Sequence, residues 1–221
     1  MIDPFTISRK IDHTLLKPDA DVDNIRQLCQ EAIEHHFFSI CINSPWLKKA
    51  GEFLHGSSVK LCTVAGFPMG DSTTTSKLNE METSINNGAS EIDMVMNIGF
   101  FKNEKYTIVA DEIKRMVQNA HGRIIKVIIE SGTLSKKEII TATKLVEDSG
   151  AHFVKTSTGF SAFGATPEII ETIKSTLKSD TKIKASGGIK SLNQVEKLID
   201  AGANRIGSSS GIIIMKELTD K

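Results

Sequence analysis

Gly150-Ala151-His152-Phe153-Val154-Lys155-Thr156-Ser157-Thr158-Gly159 contains the joint from which the whole chain is assembled. A glycine suited to the left-handed end of a helix comes first. A short apolar strand pattern follows, and hydroxyls with a second glycine close it. The opening Gly-Ala recurs as Gly88-Ala89 and Gly202-Ala203, each time just before another β-rich run. The repeat is therefore one of βα units rather than of a solenoid.

Strands are expected at residues 11–14, 39–43, 60–65, 91–97, 124–130, 152–156, 182–185 and 204–207. Helical patterns lie between them at 22–36, 72–87, 104–119, 136–149, 167–178 and 192–201. In the last of these, Leu192, Val195, Leu198 and Ile199 fall at helical spacing. Ser135 with Glu138, and Ser191 with Gln194, fit the capping box. Thr166-Pro167-Glu168 supplies an N-cap, a first-turn proline and an early acid. Pro45-Trp46 heads a further helix, with the indole as its anchor. Eight βα units in 221 residues make a (β/α)8 barrel the expected α/β architecture, as a single domain over 1–221. The alternative, a doubly wound open sheet, is weakened because no G-x-G-x-x-G follows the first strand.

Lys plus Arg equals Asp plus Glu, at 27 each, so no net field draws the chain to nucleic acid or to a membrane. No apolar run approaches the roughly 18 residues that span a bilayer. Met1-Ile2-Asp3-Pro4 has no basic stretch followed by an apolar one, so no secretory signal is expected. Cys29, Cys41 and Cys62 include no C-x-x-C and read as reduced, packed thiols of a cytoplasmic protein. The histidines lack H-x-x-x-H spacing, so a dedicated metal site is not expected.

Strand alternation in a barrel sends one row of side chains to the helices and the other inward. Ile92, Met94 and Met96 form an outward row, which leaves Glu91, Asp93, Val95 and Asn97 inside. Ile125, Val127 and Ile129 outward place Lys126, Ile128 and Glu130 inside. The same reasoning turns Asp12, Thr14, Cys41, Asn43, Lys155 and Lys184 inward. Charges at such depth persist only when paired. Two lysines on one inner face would also depress each other's affinity for protons, which is how an amine becomes a nucleophile. The plain alternative is a buried ion-pair network that serves only fold specificity.

After the seventh strand comes Ser186-Gly187-Gly188, and after the eighth Gly207-Ser208-Ser209-Ser210-Gly211. Loops at these two strand ends form the usual barrel phosphate site, since glycines let backbone N–H groups approach an anion. Gly159-Phe160 closes the third side. Gly66-Phe67-Pro68-Met69-Gly70, after the third strand, walls the pocket or is only a turn.

These motifs resemble those of the 2-deoxyribose-5-phosphate aldolase family, class I aldolases on a (β/α)8 barrel. The resemblance runs nearly end to end. It includes Ile11-Asp-His-Thr-Leu-Leu-Lys-Pro18, Val64-Ala-Gly-Phe-Pro68, Glu91-Ile-Asp-Met-Val95, Asn97-Ile-Gly99 and Lys126-Val-Ile-Ile-Glu130. It continues through residues 153–160, Lys184-Ala-Ser-Gly-Gly-Ile189, Arg205-Ile-Gly207 and Ser209-Ser-Gly211. It implies that Lys155 forms a Schiff base with acetaldehyde, that Lys184 perturbs it and helps move protons, and that Asp93 joins acid–base transfer through a water. It also implies that Asp12 and Thr14 share the hydrogen-bond network, and that Gly159, Gly187, Gly188, Ser209 and Ser210 hold the substrate phosphate.

The implied reaction is reversible cleavage of 2-deoxy-D-ribose 5-phosphate to D-glyceraldehyde 3-phosphate and acetaldehyde, a step of deoxyribose phosphate catabolism. It needs no metal or organic cofactor, and the implied partners are the sugar phosphate and acetaldehyde; a homodimer is a separate expectation, since barrels of this size often pair through surface helices. Two departures stand out. The chain ends Leu218-Thr-Asp-Lys221 without the terminal tyrosine of some members, its only tyrosine being Tyr106, and His152 replaces an expected aspartate. Another Schiff-base sugar-phosphate aldolase, a metal-dependent aldolase and a non-catalytic phosphosugar-binding barrel are the competing readings.

Overall fold

The computed structural model describes residues 4–219; Met1-Ile2-Asp3 of the sequence's opening and Asp220-Lys221 of its tail lie outside the described residues. Eight parallel strands pair in chain order and close β8 onto β1. They are β1 (Ile11–Leu15), β2 (Ser39–Ile42), β3 (Lys60–Ala65), β4 (Glu91–Val95), β5 (Ile124–Ile128), β6 (Phe153–Lys155), β7 (Lys182–Ser186) and β8 (Arg205–Ser208). The expected barrel is the observed one.

Ten helices accompany them among the described residues. Those expected are α2 (Val22–Glu34), α4 (Thr74–Asn86), α6 (Tyr106–Gln118), α7 (Lys136–Asp148), α8 (Pro167–Thr176) and α9 (Leu192–Ala201). The helix headed by Trp46 is α3 (Leu47–Phe53). Two short helices, α1 (Pro4–Ser8) and α5 (Ile98–Lys102), were not foreseen, and α10 (Gly211–Thr219) grows from the serine loop after β8. None of these helices is long and apolar enough to cross a membrane.

The Gly-Ala joints work as their sequence suggests. Gly88, Gly150 and Gly202 have φ of +100°, +79° and +122°. The next amide turns back into the helix just finished: Ala89 donates to Ser84, Ala151 to Val146 and Ala203 to Leu198. That closure satisfies a terminal carbonyl and aims the chain into the next strand. Both expected capping boxes form, and Asp21 with Asn24 adds a third at α2.

Several strands stop short of their expected ends. β4 ends at Val95, and Asn97, expected inside a strand, instead caps α5 by accepting from the Phe100 amide at 2.8 Å. β5 ends at Ile128, because Glu130 adopts φ +49° in a turn. At Asn97 a polar side chain diverts the backbone, and at Glu130 a left-handed backbone conformation does, as strand pairing runs out.

The main core lies between barrel and helices and holds the outward rows foreseen, including Ile92, Met94, Met96, Ile125, Val127, Val154, Ile183 and Ala185. Inside the barrel, a small apolar group of Leu16, Cys41, Cys62 and Val64 fills the side toward β2 and β3. Beside it the interior holds a cluster of buried charges.

Candidate active site

Asp93 is the hub of that interior. Its Oδ1 accepts from Lys126 Nζ at 2.7 Å and from the Cys62 thiol at 3.2 Å. Its Oδ2 accepts from Lys155 Nζ at 2.8 Å and Lys184 Nζ at 2.7 Å. Lys126 also pairs with Glu91 at 2.7 Å, and Lys184 with Asp12. Arg205 donates to Asp12 Oδ1 at 2.8 Å and reaches Glu91 at 3.4 Å, while the Ser39 hydroxyl donates to Asp12 Oδ1 at 2.7 Å. Strand register brings these groups together, since Asp93 lies beside Lys126, Lys155 beside Lys184, and Lys184 beside Arg205. Gly207 leaves the room they need: a Cβ there would stand 3.0 Å from Lys184 Cε.

Asp12, Glu91 and Asp93 thus meet Lys126, Lys155, Lys184 and Arg205, all essentially out of water. Lys155 aside, three carboxylates face three cations. Burial alone would raise the pKa of Asp93, but the ammonium groups of Lys126, Lys155 and Lys184 outweigh it and hold this carboxyl well below the usual range. Asp12 is likewise lowered, burial being overcome by Lys184 and Arg205.

The expectation that the paired lysines depress each other needs correction for Lys184. Burial pulls its pKa down, but Asp12 and Asp93 prevail and raise it, so it stays an ammonium. Lys126 is raised too, against burial, chiefly by Asp93. Neither could supply a free amine near neutral pH.

A cavity of about 430 Å³ opens at the C-terminal mouth of the barrel. Of the four cations in this network only Lys155 lines it. Gly159, Gly187, Gly188 and Ser209 form its wall with Ser186 and Ser208, as the loop reading placed them. Ser210 does not line it; its amide accepts no role there but donates to Ser208 Oγ at 2.9 Å, and its carbonyl starts α10 by accepting from Ile214. Thr14 lines the cavity, yet its hydroxyl donates to the Asp12 carbonyl at 2.9 Å and makes no bond to the Asp93 cluster. Tyr106 packs on Phe101, at a centroid distance of 5.3 Å, in the outer core and away from the cavity. His152 precedes β6, where its Nδ1 accepts from the Ile125 amide at 3.1 Å.

The two glycine loops meet backbone to backbone. A Cβ on Gly164 would lie 1.9 Å from the Gly187 carbonyl oxygen, and the Ala165 amide donates to that oxygen at 3.2 Å. Glu130 anchors the first loop from below, accepting from Thr158 Oγ1 at 2.6 Å and Ser161 Oγ at 2.8 Å. Residue reasoning gave Arg205 no role, although it lies two positions before inward Gly207. It also passed over Lys17 and Lys190, two exposed cations on the cavity rim. Alternation would have found the first; the others sit in loops, where no periodicity applies.

Cys41, Cys62 and Asp93 place donor atoms within 4.8 Å of one another. They do not fit a metal, because a cation there would have to displace ammonium donors from Asp93 and face those that remain.

A family model described as DeoC/LacD family aldolase matches residues 6–217. The deoxyribose-phosphate aldolase of Bdellovibrio bacteriovorus is 51% identical over 95% of this chain and 96% of its own. That of Mycoplasmoides pirum is 50% identical, again over 95% and 96%. Among solved structures, the tetrameric deoxyribose phosphate aldolase from Aeropyrum pernix superposes with a TM-score of 0.91 at 30% identity, covering 98% of this chain and 92% of that one. The aldolase QR15 superposes at 0.94 with 38% identity, covering 100% of this chain and 97% of that one. With a family model spanning nearly every described residue and relatives alike along their whole length, this chain belongs to the DeoC/LacD family of aldolases and is a lyase.

Proposed function

We propose that the chain cleaves 2-deoxy-D-ribose 5-phosphate reversibly to D-glyceraldehyde 3-phosphate and acetaldehyde, with Lys155 as the Schiff-base amine. The observation that carries this reading is the cavity itself: one buried lysine reaches it, and the others are locked into carboxylates behind. The Lys155 amine adds to C1 of the open-chain sugar, and loss of water gives an iminium. The C3 hydroxyl then gives up its proton, the C2–C3 bond breaks, and its electron pair passes into the iminium to form an enamine. Protonation at C2 and hydrolysis release acetaldehyde and restore the amine.

Asp93 stays ionised beside three cations, so its part is to hold the positive charge of the iminium and to orient a water that shuttles the proton. Lys184, a fixed ammonium, opposes positive charge on Lys155 and donates into the same relay. Asp12 holds Lys184 in place. Gly159, Gly187, Gly188 and Ser209 bind the phosphate, with Ser210 contributing through the N-terminal turn of α10. Lys17 and Lys190 add charge at the rim. Thr14 acts as a cavity wall that positions the sugar. The reading also takes the chain to be cytoplasmic, one domain and self-associating; the tetrameric Aeropyrum pernix relative favours the last, which sedimentation would measure.

Incubation with acetaldehyde and borohydride, followed by peptide mass spectrometry, tests the mechanism. An ethyl group on Lys155, absent in Lys155→Ala, is expected. A label on Lys184 would reverse the two lysine roles, and no adduct at all would leave only a phosphosugar-binding barrel. Turnover of deoxyribose 5-phosphate but not of ketose phosphates would set aside other Schiff-base aldolases.

A further inference from the structure

We propose that the opposite, N-terminal mouth of the barrel is a second anion site, shaped for a phosphorylated ligand carrying an aromatic ring, a nucleotide, and coupled through Arg205 to the catalytic ion network. A cavity of about 480 Å³ opens there, comparable in size to the catalytic one. Arg9, Lys10, Lys182 and Arg205 line it, and among the described residues no carboxylate does.

Arg205 is neutralised from within by Asp12 and Glu91. The other three are not. Lys10 and Lys182 have no ion-pair partner among the described residues, and Arg9 has no carboxylate partner among them either: it makes long bonds of 3.4 Å to the carbonyls of His36 and Phe37 and lies over the Phe38 ring, 5.3 Å from its centroid. Three uncompensated cations around one concavity concentrate the field and favour a multiply charged anion. Beside them stands Phe5, 59% exposed, a residue type normally hidden. Phe5 makes an edge contact with His36, 6.1 Å between centroids, and is otherwise largely exposed; cations for a phosphate next to an exposed aromatic ring for a base are features that suit a nucleotide. Barrel chemistry is confined to the other end, so this mouth binds rather than reacts.

Arg205 joins the two ends. Its guanidinium stacks 3.4 Å from the Phe38 ring centroid in the wall of the basal cavity, while the same group donates to Asp12. Asp12 in turn holds Lys184, which shares Asp93 Oδ2 with Lys155. An anion that draws on Arg205 weakens its hold on Asp12, and Asp12 then binds Lys184 more strongly. Occupancy at one mouth therefore changes the charge environment of the amine at the other, and the coupling is reciprocal.

Calorimetric titration of the full chain with ADP, and separately with tripolyphosphate, tests the site without reference to turnover. ADP is expected to bind with Kd below about 1 mM at low salt. Lys10→Glu/Lys182→Glu, whose side chains touch nothing catalytic, is expected to bind ADP at least about tenfold more weakly with unchanged basal activity. Saturating ADP should also shift the pH profile of sugar-phosphate cleavage in the wild type without competing with substrate. No ADP binding at millimolar concentration would overturn the site, as would undiminished binding by the double variant. Equal binding of tripolyphosphate would overturn the aromatic ligand class. Competition with deoxyribose 5-phosphate that persists in the double variant would place ADP in the catalytic phosphate loops instead, and an unchanged pH profile would sever the link through Arg205.

Discussion

Replacing Lys155 with methionine should abolish activity and leave stability almost untouched, whereas Lys184→Met should cripple both. Lys155 makes a single ion contact, 2.8 Å to Asp93 Oδ2, and that oxygen keeps Lys184 at 2.7 Å when Lys155 is gone. Oδ1 keeps Lys126. The loss is one charge-assisted hydrogen bond, about 1.5–3 kcal/mol. Against it stands the desolvation of a side chain only 3% exposed, several kcal/mol for a buried ion. Removal also leaves three cations facing three carboxylates, so no buried charge is stranded. The two effects nearly cancel, and we expect a change within about 1 kcal/mol of zero, with stabilisation the favoured sign.

Lys184 differs because it bridges Asp12 and Asp93. Its removal leaves Asp12 with Arg205 as its one cation and Ser39 as its other donor, both on Oδ1, in a buried site, and the expected cost is about 3–5 kcal/mol. Urea denaturation with matched m-values reads both numbers directly. A loss of 3 kcal/mol or more (about the cost of breaking a buried pair) in Lys155→Met, equal to that in Lys184→Met, would refute the charge count and make Lys155 a structural member of the network.

Three further outcomes follow from the geometry. Gly164→Ala forces a methyl group into the Gly187 carbonyl, so the phosphate loops must part; the preference for deoxyribose 5-phosphate over unphosphorylated deoxyribose should collapse, read as a ratio of kcat/KM values. Lys77, wholly buried, donates to the carbonyls of Gly70 and Val95 and to Glu112 at 2.8 Å each. Lys77→Met should cost about 3–5 kcal/mol, and Lys77→Met/Glu112→Leu should recover much of it in the same denaturation assay, because the stranded carboxylate is removed. Asp12 and Asp93 have folded pKa values below their unfolded ones, so the unfolded chain binds more protons in acid. Their stabilisation is complete above about pH 4 and fades as pH falls toward the folded values, and Asp93→Asn should flatten the acid limb of a stability–pH curve.

Much of this architecture was legible in the chain because it depends on local rules. The Gly-Ala joints, the capping serines and the alternation of apolar residues act over a few residues each, and together they specify eight βα units. Alternation also turned Asp12, Asp93, Lys155 and Lys184 inward, because an outward row such as Ile92, Met94 and Met96 leaves no other choice. Strand ends were less legible: Asn97 and Glu130 leave the strand through side-chain and backbone geometry that a period of two does not encode.

What only the tertiary structure decided is which of the two lysines reaches the cavity. Lys155 and Lys184 have the same strand context and the same inward direction, and their sequence makes them interchangeable. Closure of β8 onto β1 brings Asp12 and Arg205 to the Lys184 side, while the mouth of the barrel opens beside Lys155. Coulomb interactions between residues far apart in the chain fix one amine as an ammonium and leave the other facing the cavity. No local pattern carries that distinction, because it is a property of distances across the closed barrel.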